Sequence, residues 1–347
     1  MRFAMNKFLP FFVLLCVATL FAQNRVIAYF PHWAQYSQFT PKDVRYDLLT
    51  DIRYGYLTPV GSDLVFADES DKENFLTLVN QAKAANVKLT VAVGGLGSEA
   101  AMKEAYESKS LAEAVKKFQN EYGVNAFELD GGAISAEDLP KLLKQSADLA
   151  STGITISIAI PGTESLSSAV SGADLSGIDN FSLWFTDEAS ANDSQVKPNS
   201  NTETNIKILA AFASAGVPKS KLVPILPFYG KSFYKANGLG SSHQGAGSGN
   251  DGVLQYKEIM EKFNKKDTYK VSFDESSKSE VAVNDNETIV FNGIPSVKAM
   301  TEAVKSNGYG GVAAFDISGD RKEPIISLLV TIGQILRPEI DYKKKRK

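Results

Sequence analysis

The sequence predicts an α/β fold: a (β/α)8 TIM barrel with a small α+β insertion between strand seven and the last helix. Three observations predict it. Eight short β-rich runs alternate with longer segments whose apolar residues recur at helical spacing. Eight such units suit a closed parallel barrel better than an open sheet. One connection, before the last helix, is about sixty residues long and carries its own hairpin patterns, which suits an inserted subdomain and not a bare loop.

The elements run in order. "RVIAYF" (25–30) and "DIRYGYL" (51–57) read as the first two strands. A helix over 72–86 leads to "VKLTVAVGG" (87–95), and a helix over 110–122 leads to "GVNAFELD" (123–130). A helix over 136–152 precedes "GITISIAIPG" (153–162), which "GIDNFSLWFTD" (177–187) follows. A helix over 201–216 precedes strand seven, "KLVPILPFYG" (221–230). The insertion, about residues 235–293, opens on a loop rich in Gly, Ser and Asn, then a helix over 254–266 and three hairpin-like runs. The last helix (293–308) and "YGGVAAFDIS" (309–318) close the series.

The first 22 residues read as a secretory signal peptide: Arg2 and Lys7, an apolar run from Phe8 to Phe21, then Ala22 at the expected cleavage site. That run is too short for a comfortable membrane span, and no other apolar run is long enough for one. The expected location is secreted or periplasmic, in the cell envelope. Cys16, the single cysteine, lies in the leader, so the exported chain relies on its core and not on disulfides. With 37 Lys and Arg against 40 Asp and Glu, the formal net charge is −3. Five of the basic residues are concentrated in the "KKKRK" tail at 343–347, so the body between leader and tail is more acidic still. This argues against nucleic acid as a partner. Two histidines, His32 and His243, cannot supply a three-histidine zinc site, and no metal or cofactor is expected. The barrel domain is expected over 23–338, with a basic, solvated tail over 339–347.

Chemistry concentrates at "NAFELDGG". In a strand, residues two apart face the same side, so Glu128 and Asp130 share a face and Gly132 is the next position on it. Two carboxylates are aimed at one place, and the third step carries no side chain.

With these motifs in order, the chain resembles the glycoside hydrolase family 18 chitinases and their inactive relatives, the chitinase-like lectins, from about Arg25 to about Leu336. "VIAYFPHWAQY" is similar to the family's first strand and its aromatic loop, "VKLTVAVGG" to its third strand, "KLVPILPFYGKSF" to its seventh and "GYGGVAAFDIS" to its eighth. The resemblance places the catalytic signature D-x-x-D-x-D-x-E on Asn125, Glu128, Asp130 and Gly132. It implies substrate-assisted cleavage of N-acetylglucosamine polymers, in which the last acidic position protonates the leaving oxygen and the preceding Asp holds the acetamido group. Here the acid is Gly132. The family's sixth-strand M-x-Y-D falls on "WFTD", so Thr186 stands for the Tyr and Asp187 is kept. The strand-eight Trp is Phe315. Arg53 stands where the second strand usually has a neutral residue.

The expected ligand contacts are the aromatics Tyr29, Trp33, Tyr56, Trp184, Tyr229 and Phe315, with the carboxylates Glu128, Asp130 and Asp187; no residue is assigned a catalytic role. Ligand contact competes at several of these with plain core packing, because barrel interiors are filled with side chains. Three functions stay open. A non-catalytic barrel would bind a chitin-like or other cell-wall polysaccharide. A hydrolase with a relocated acid would need Glu188 or Asp316. An envelope scaffold would bind nothing.

Overall fold

The strands form where β-branched and aromatic residues alternate, and each is buried on both faces, as a parallel barrel requires. The computed structural model describes residues 24–186, 188–264 and 269–342. The leader with Cys16, Asp187 and the basic residues 343–347 lie outside the described residues.

The barrel strands are β1 (Arg25–Pro31), β2 (Asp51–Val60), β3 (Lys88–Gly94), β4 (Ala126–Asp130), β5 (Thr155–Pro161), β6 (Ile178–Trp184), β7 (Leu222–Pro227) and β8 (Gly311–Phe315). Each pairs in parallel with its neighbours, and β1 closes the ring by pairing with both β8 and β2. Alternate residues divide the core in two. Val26, Ala28 and Phe30 of β1, with Phe127 and Leu129 of β4, face the surrounding helices. Ile27, Tyr29, Ala159, Val223, Ile225 and Ala313 fill the barrel itself.

Local chemistry sets the helix ends. Asp68 caps the helix Glu69–Ala84 by accepting from the Asp71 amide. The helix Ser110–Tyr122 ends where Gly123 turns left-handed at φ 67. Three helices lie where the sequence reading names none: Glu99–Glu107, Glu164–Ala169 and Leu328–Leu336. The first two are only nine and six residues long, too short for a clear apolar period. The third is apolar nearly all round and buried between the barrel and the helix Ile294–Asn307.

Strand seven differs most from expectation. It ends at Pro227, and after Phe228 the chain enters a separate antiparallel sheet as Tyr229–Tyr234. Pro227 is paired with Phe315 of β8, and the Phe228 amide makes the last bond of that ladder by donating to the Phe315 carbonyl at 2.6 Å. The second sheet runs in the order Val253–Gln255, Tyr229–Tyr234, Glu287–Phe291, Ser279–Val283, Lys270–Asp274, with the helix Tyr256–Asn264 against it. It thus begins six residues before the expected insertion and stands directly on the C-terminal rim of the barrel. No helix among the described residues is long and apolar enough to cross a membrane.

Candidate functional site

The barrel interior is polar at mid-height. Arg53 of β2, 1% exposed, is ion-paired with Glu128 of β4, which is 0% exposed. The same guanidinium donates to Tyr29 Oη (2.8 Å), Ser182 Oγ (2.6 Å) and Asn180 Oδ1 (2.7 Å). Tyr29 Oη in turn donates to Glu128 Oε1 at 2.6 Å. Burial alone would discharge Arg53, but the Glu128 carboxylate outweighs it and holds its pKa above the ordinary value. The Arg at position 53 is therefore explained by its partner: a Glu at 128 reaches across the barrel to a cation that a neutral residue could not replace.

One layer higher sits Asp130, 1% exposed. Its Oδ2 accepts from Trp184 Nε1 at 3.2 Å and its Oδ1 from the Gly132 amide at 2.9 Å. Burial, and then the charge of Glu128, push its pKa up to about 7. The strand ends here. Gly132 does not continue the face of Glu128 and Asp130 as the period-two reading expects; its amide folds back onto Asp130 and its φ is +54. A Cβ built on Gly132 would lie 2.9 Å from the Gly95 carbonyl oxygen and 2.9 Å from Glu99 Oε1. Glu99 closes this corner by accepting from the amides of Gly97 (2.9 Å) and Ala133 (3.3 Å). Its own amide and those two hold its pKa below the ordinary value, so it is a carboxylate and not a proton donor at neutral pH.

Aromatic rings stand around Asp130. Trp184 packs edge-on against Phe315 with centroids 4.7 Å apart. Tyr56 stacks between Trp33 (6.1 Å) and Tyr29 (6.3 Å). Trp33, in the short helix His32–Ser37 after β1, donates its indole N–H to Asp316 Oδ2 at 3.3 Å. Burial lifts the Asp316 pKa, although Ser318 and Trp33 donate to its carboxylate. The Tyr56 hydroxyl oxygen is buried and has no hydrogen bond of normal geometry.

Together these residues line a groove of about 1080 Å³ at the C-terminal ends of the strands, where barrel sites are built. Of the expected contacts, Trp33, Tyr56, Asp130, Trp184, Tyr229 and Phe315 line it. Tyr29 and Glu128 do not; they are consumed by Arg53 one layer below. Asn125 lies at the opposite end of β4, exposed, where its amide donates to the Gly153 carbonyl. Glu188 does not line the groove: it accepts from the Asn201 amide and is raised to about 7 mainly by burial. The sequence reading missed Leu96, 83% exposed on the rim near the 69% exposed Tyr36, and Asp251 and Glu258, which the second sheet and its helix bring to the same groove. A large apolar side chain beside Gly-Gly after a strand, as Leu96 is, was the available signal for the rim.

This architecture has close counterparts. The catalytic domain 2 of the Group II chitinase of Ostrinia furnacalis superposes with a TM-score of 0.81 at 20% identity, covering 91% of this chain and 97% of that one. A class V chitinase variant from Nicotiana tobaccum in complex with NAG4 gives 0.78 at 17% identity, covering 91% and 99%. By sequence, Chitinase 1 of Aphanocladium album is 23% identical over 85% of this chain and 81% of its own length. Chitotriosidase-1 of Mus musculus is 25% identical over 85% and 73%. The family model "Glycosyl hydrolases family 18" matches residues 25–320, and the chain belongs to that family.

Proposed function

We propose that this is an exported family 18 protein that binds a glycan in the barrel groove without cleaving it. The observation that carries the reading is Gly132. The position that the resemblance assigns to the general acid has no side chain, and its backbone turns any Cβ toward the Gly95 carbonyl. The two carboxyls nearest to it are poor replacements: Glu99 is ionised by its backbone donors, and Asp130 lies buried a step below the rim, tethered to Trp184 and the Gly132 amide. Aromatic faces and carboxylates supply binding that does not depend on proton transfer. The relatives named above are chitinases, one of them in complex with NAG4, which supports a chitin-like ligand class.

Hydrolysis of a chromogenic chitobioside and of chitin oligomers is expected to be at least about 10²–10⁴-fold slower than for an active relative, the loss of a positioned acid. Turnover at ordinary chitinase rates sinks the reading. Calorimetry with cell-wall oligosaccharides is expected to give a dissociation constant in the roughly micromolar to millimolar range. Trp33→Ala, which removes a rim stacking surface, should weaken it by about ten-fold. Unchanged affinity in that variant puts the ligand elsewhere, and no binding to any oligomer leaves the scaffold reading. One observation favours a relocated acid: Asp316 lines the groove with a raised pKa. In that case weak turnover exists and disappears in Asp316→Asn. Recovery of the exported protein with an N-terminus near position 23 checks the export half of the proposal.

A further inference from the structure

The groove is one-sided in charge. Four of its lining residues are carboxylates: Asp130 and Asp316 on the floor, Asp251 and Glu258 on the wall from the second sheet. Among the described lining residues there is no Lys or Arg. The nearest cations are otherwise engaged. Arg53, beneath Asp130, is paired with Glu128, and that unit is neutral. Lys257 acts on Asp316 but lines a neighbouring pocket and not this groove.

The two indole N–H groups at the groove are also spent. Trp184 Nε1 is held by Asp130 and Trp33 Nε1 by Asp316. What remains for a ligand's donors is the free lone pairs of these carboxylates, beside neutral hydroxyls and amides such as Ser98, Thr186 and Asn250. A bare acidic cluster would not define a ligand, but this one lies in an aromatic-walled groove whose described lining holds no Lys or Arg to balance it. The matching ligand is rich in donors and positively charged, with ring faces for Trp33, Trp184 and Phe315. A neutral acetamide gains nothing from this excess of carboxylates, and an anionic sugar is repelled by it.

Resting on the glycan-binding reading above, we propose that the groove selects amino-sugar polymers carrying free amines, that is, deacetylated chitin oligomers, with Asp130 as the acceptor for the sugar ammonium. Ammonium–carboxylate hydrogen bonds are the stronger, charge-assisted kind, and in a buried setting they gain from low dielectric. A cation beside Asp130 also offsets the burial that raises its pKa.

The test is calorimetry on the exported chain with three probes: a glucosamine hexamer, an N-acetylglucosamine hexamer and an oligogalacturonate. The glucosamine hexamer is expected to bind about ten-fold or more tighter than its acetylated counterpart, and the oligogalacturonate not measurably. Its advantage should shrink several-fold between about 20 mM and about 500 mM salt. Asp130→Asn should bring the two hexamers within about two-fold of each other. Because Asp130 is buried, the exposed pair Asp251→Asn with Glu258→Gln gives a second readout: it should reduce the preference and its salt dependence without touching the core. Equal or tighter binding of the acetylated hexamer overturns the proposal and leaves the glycan-binding reading standing. A preference that survives both sets of substitutions overturns it as well. Absence of binding to every probe overturns both.

Discussion

Replacing Arg53 by methionine is expected to destabilise the protein by about 3–5 kcal/mol, the cost of stranding a buried charge. Glu128 would then lie 0% exposed with Tyr29 as its remaining donor, and Asn180 and Ser182 would each lose a partner. For a domain of this size each kcal/mol lowers Tm by about 2–4 °C, so a fall of roughly 10 °C is expected. Glu128→Gln should cost a similar amount, because it leaves the guanidinium without its counter-charge. The two changes together should cost clearly less than the sum of the single costs, since they remove both halves of one pair. Denaturant unfolding of the three variants checks this. A single-variant loss under about 1 kcal/mol, or strict additivity, shows that the pair does not organise the interior.

Gly132→Glu is expected to restore no chitinase activity and to lower stability by about 2–4 kcal/mol. The left-handed φ of +54 strains any L side chain, and the new Cβ would press on the Gly95 carbonyl, which is backbone and cannot swing aside. Glu99, the other neighbour, is the end of a flexible side chain. Gly132→Glu combined with Glu99→Ala should therefore recover part of the lost stability and still not hydrolyse chitin oligomers. Chitin hydrolysis by the single variant would mean that only the side chain was missing and that the turn at Gly132 is incidental.

The barrel was legible because its signal is local. Period-two and 3.6-residue patterns can be read within one element, and all eight barrel strands lie within their expected segments to within a few residues. What failed depends on residues far apart in sequence. Strand seven ends at Pro227 because the residues that follow, Tyr229–Tyr234, pair with Val253–Gln255 and Glu287–Phe291, strands that come later in the chain. The same-face argument held for Glu128 and Asp130 and broke at Gly132, where a side chain–backbone bond ended the strand. Glu128 was expected in the groove because nothing in the sequence places Arg53 beneath it, 75 residues away. Arg53 did stand out as an odd residue, and an unexpected charge in an interior strand is a reason to look for its partner. Asp251 and Glu258 reach the groove only because the second sheet stands on the barrel rim.

The hydrogen bond from Trp33 to Asp316 has a thermodynamic consequence. The ring lies on a rim loop yet is held from three sides, by Asp316, by the stack on Tyr56 and by the edge of Phe315 at 6.1 Å. A free rotamer-rich side chain loses about 0.5–1.5 kcal/mol of conformational freedom when a ligand fixes it. For Trp33 that loss has already been met in folding. Asp316→Asn, which keeps the shape but weakens the tether, should therefore make the entropy of association with a neutral oligosaccharide less favourable while leaving its enthalpy nearly unchanged. The bound state keeps its contacts, and the unbound protein gains disorder that association must remove.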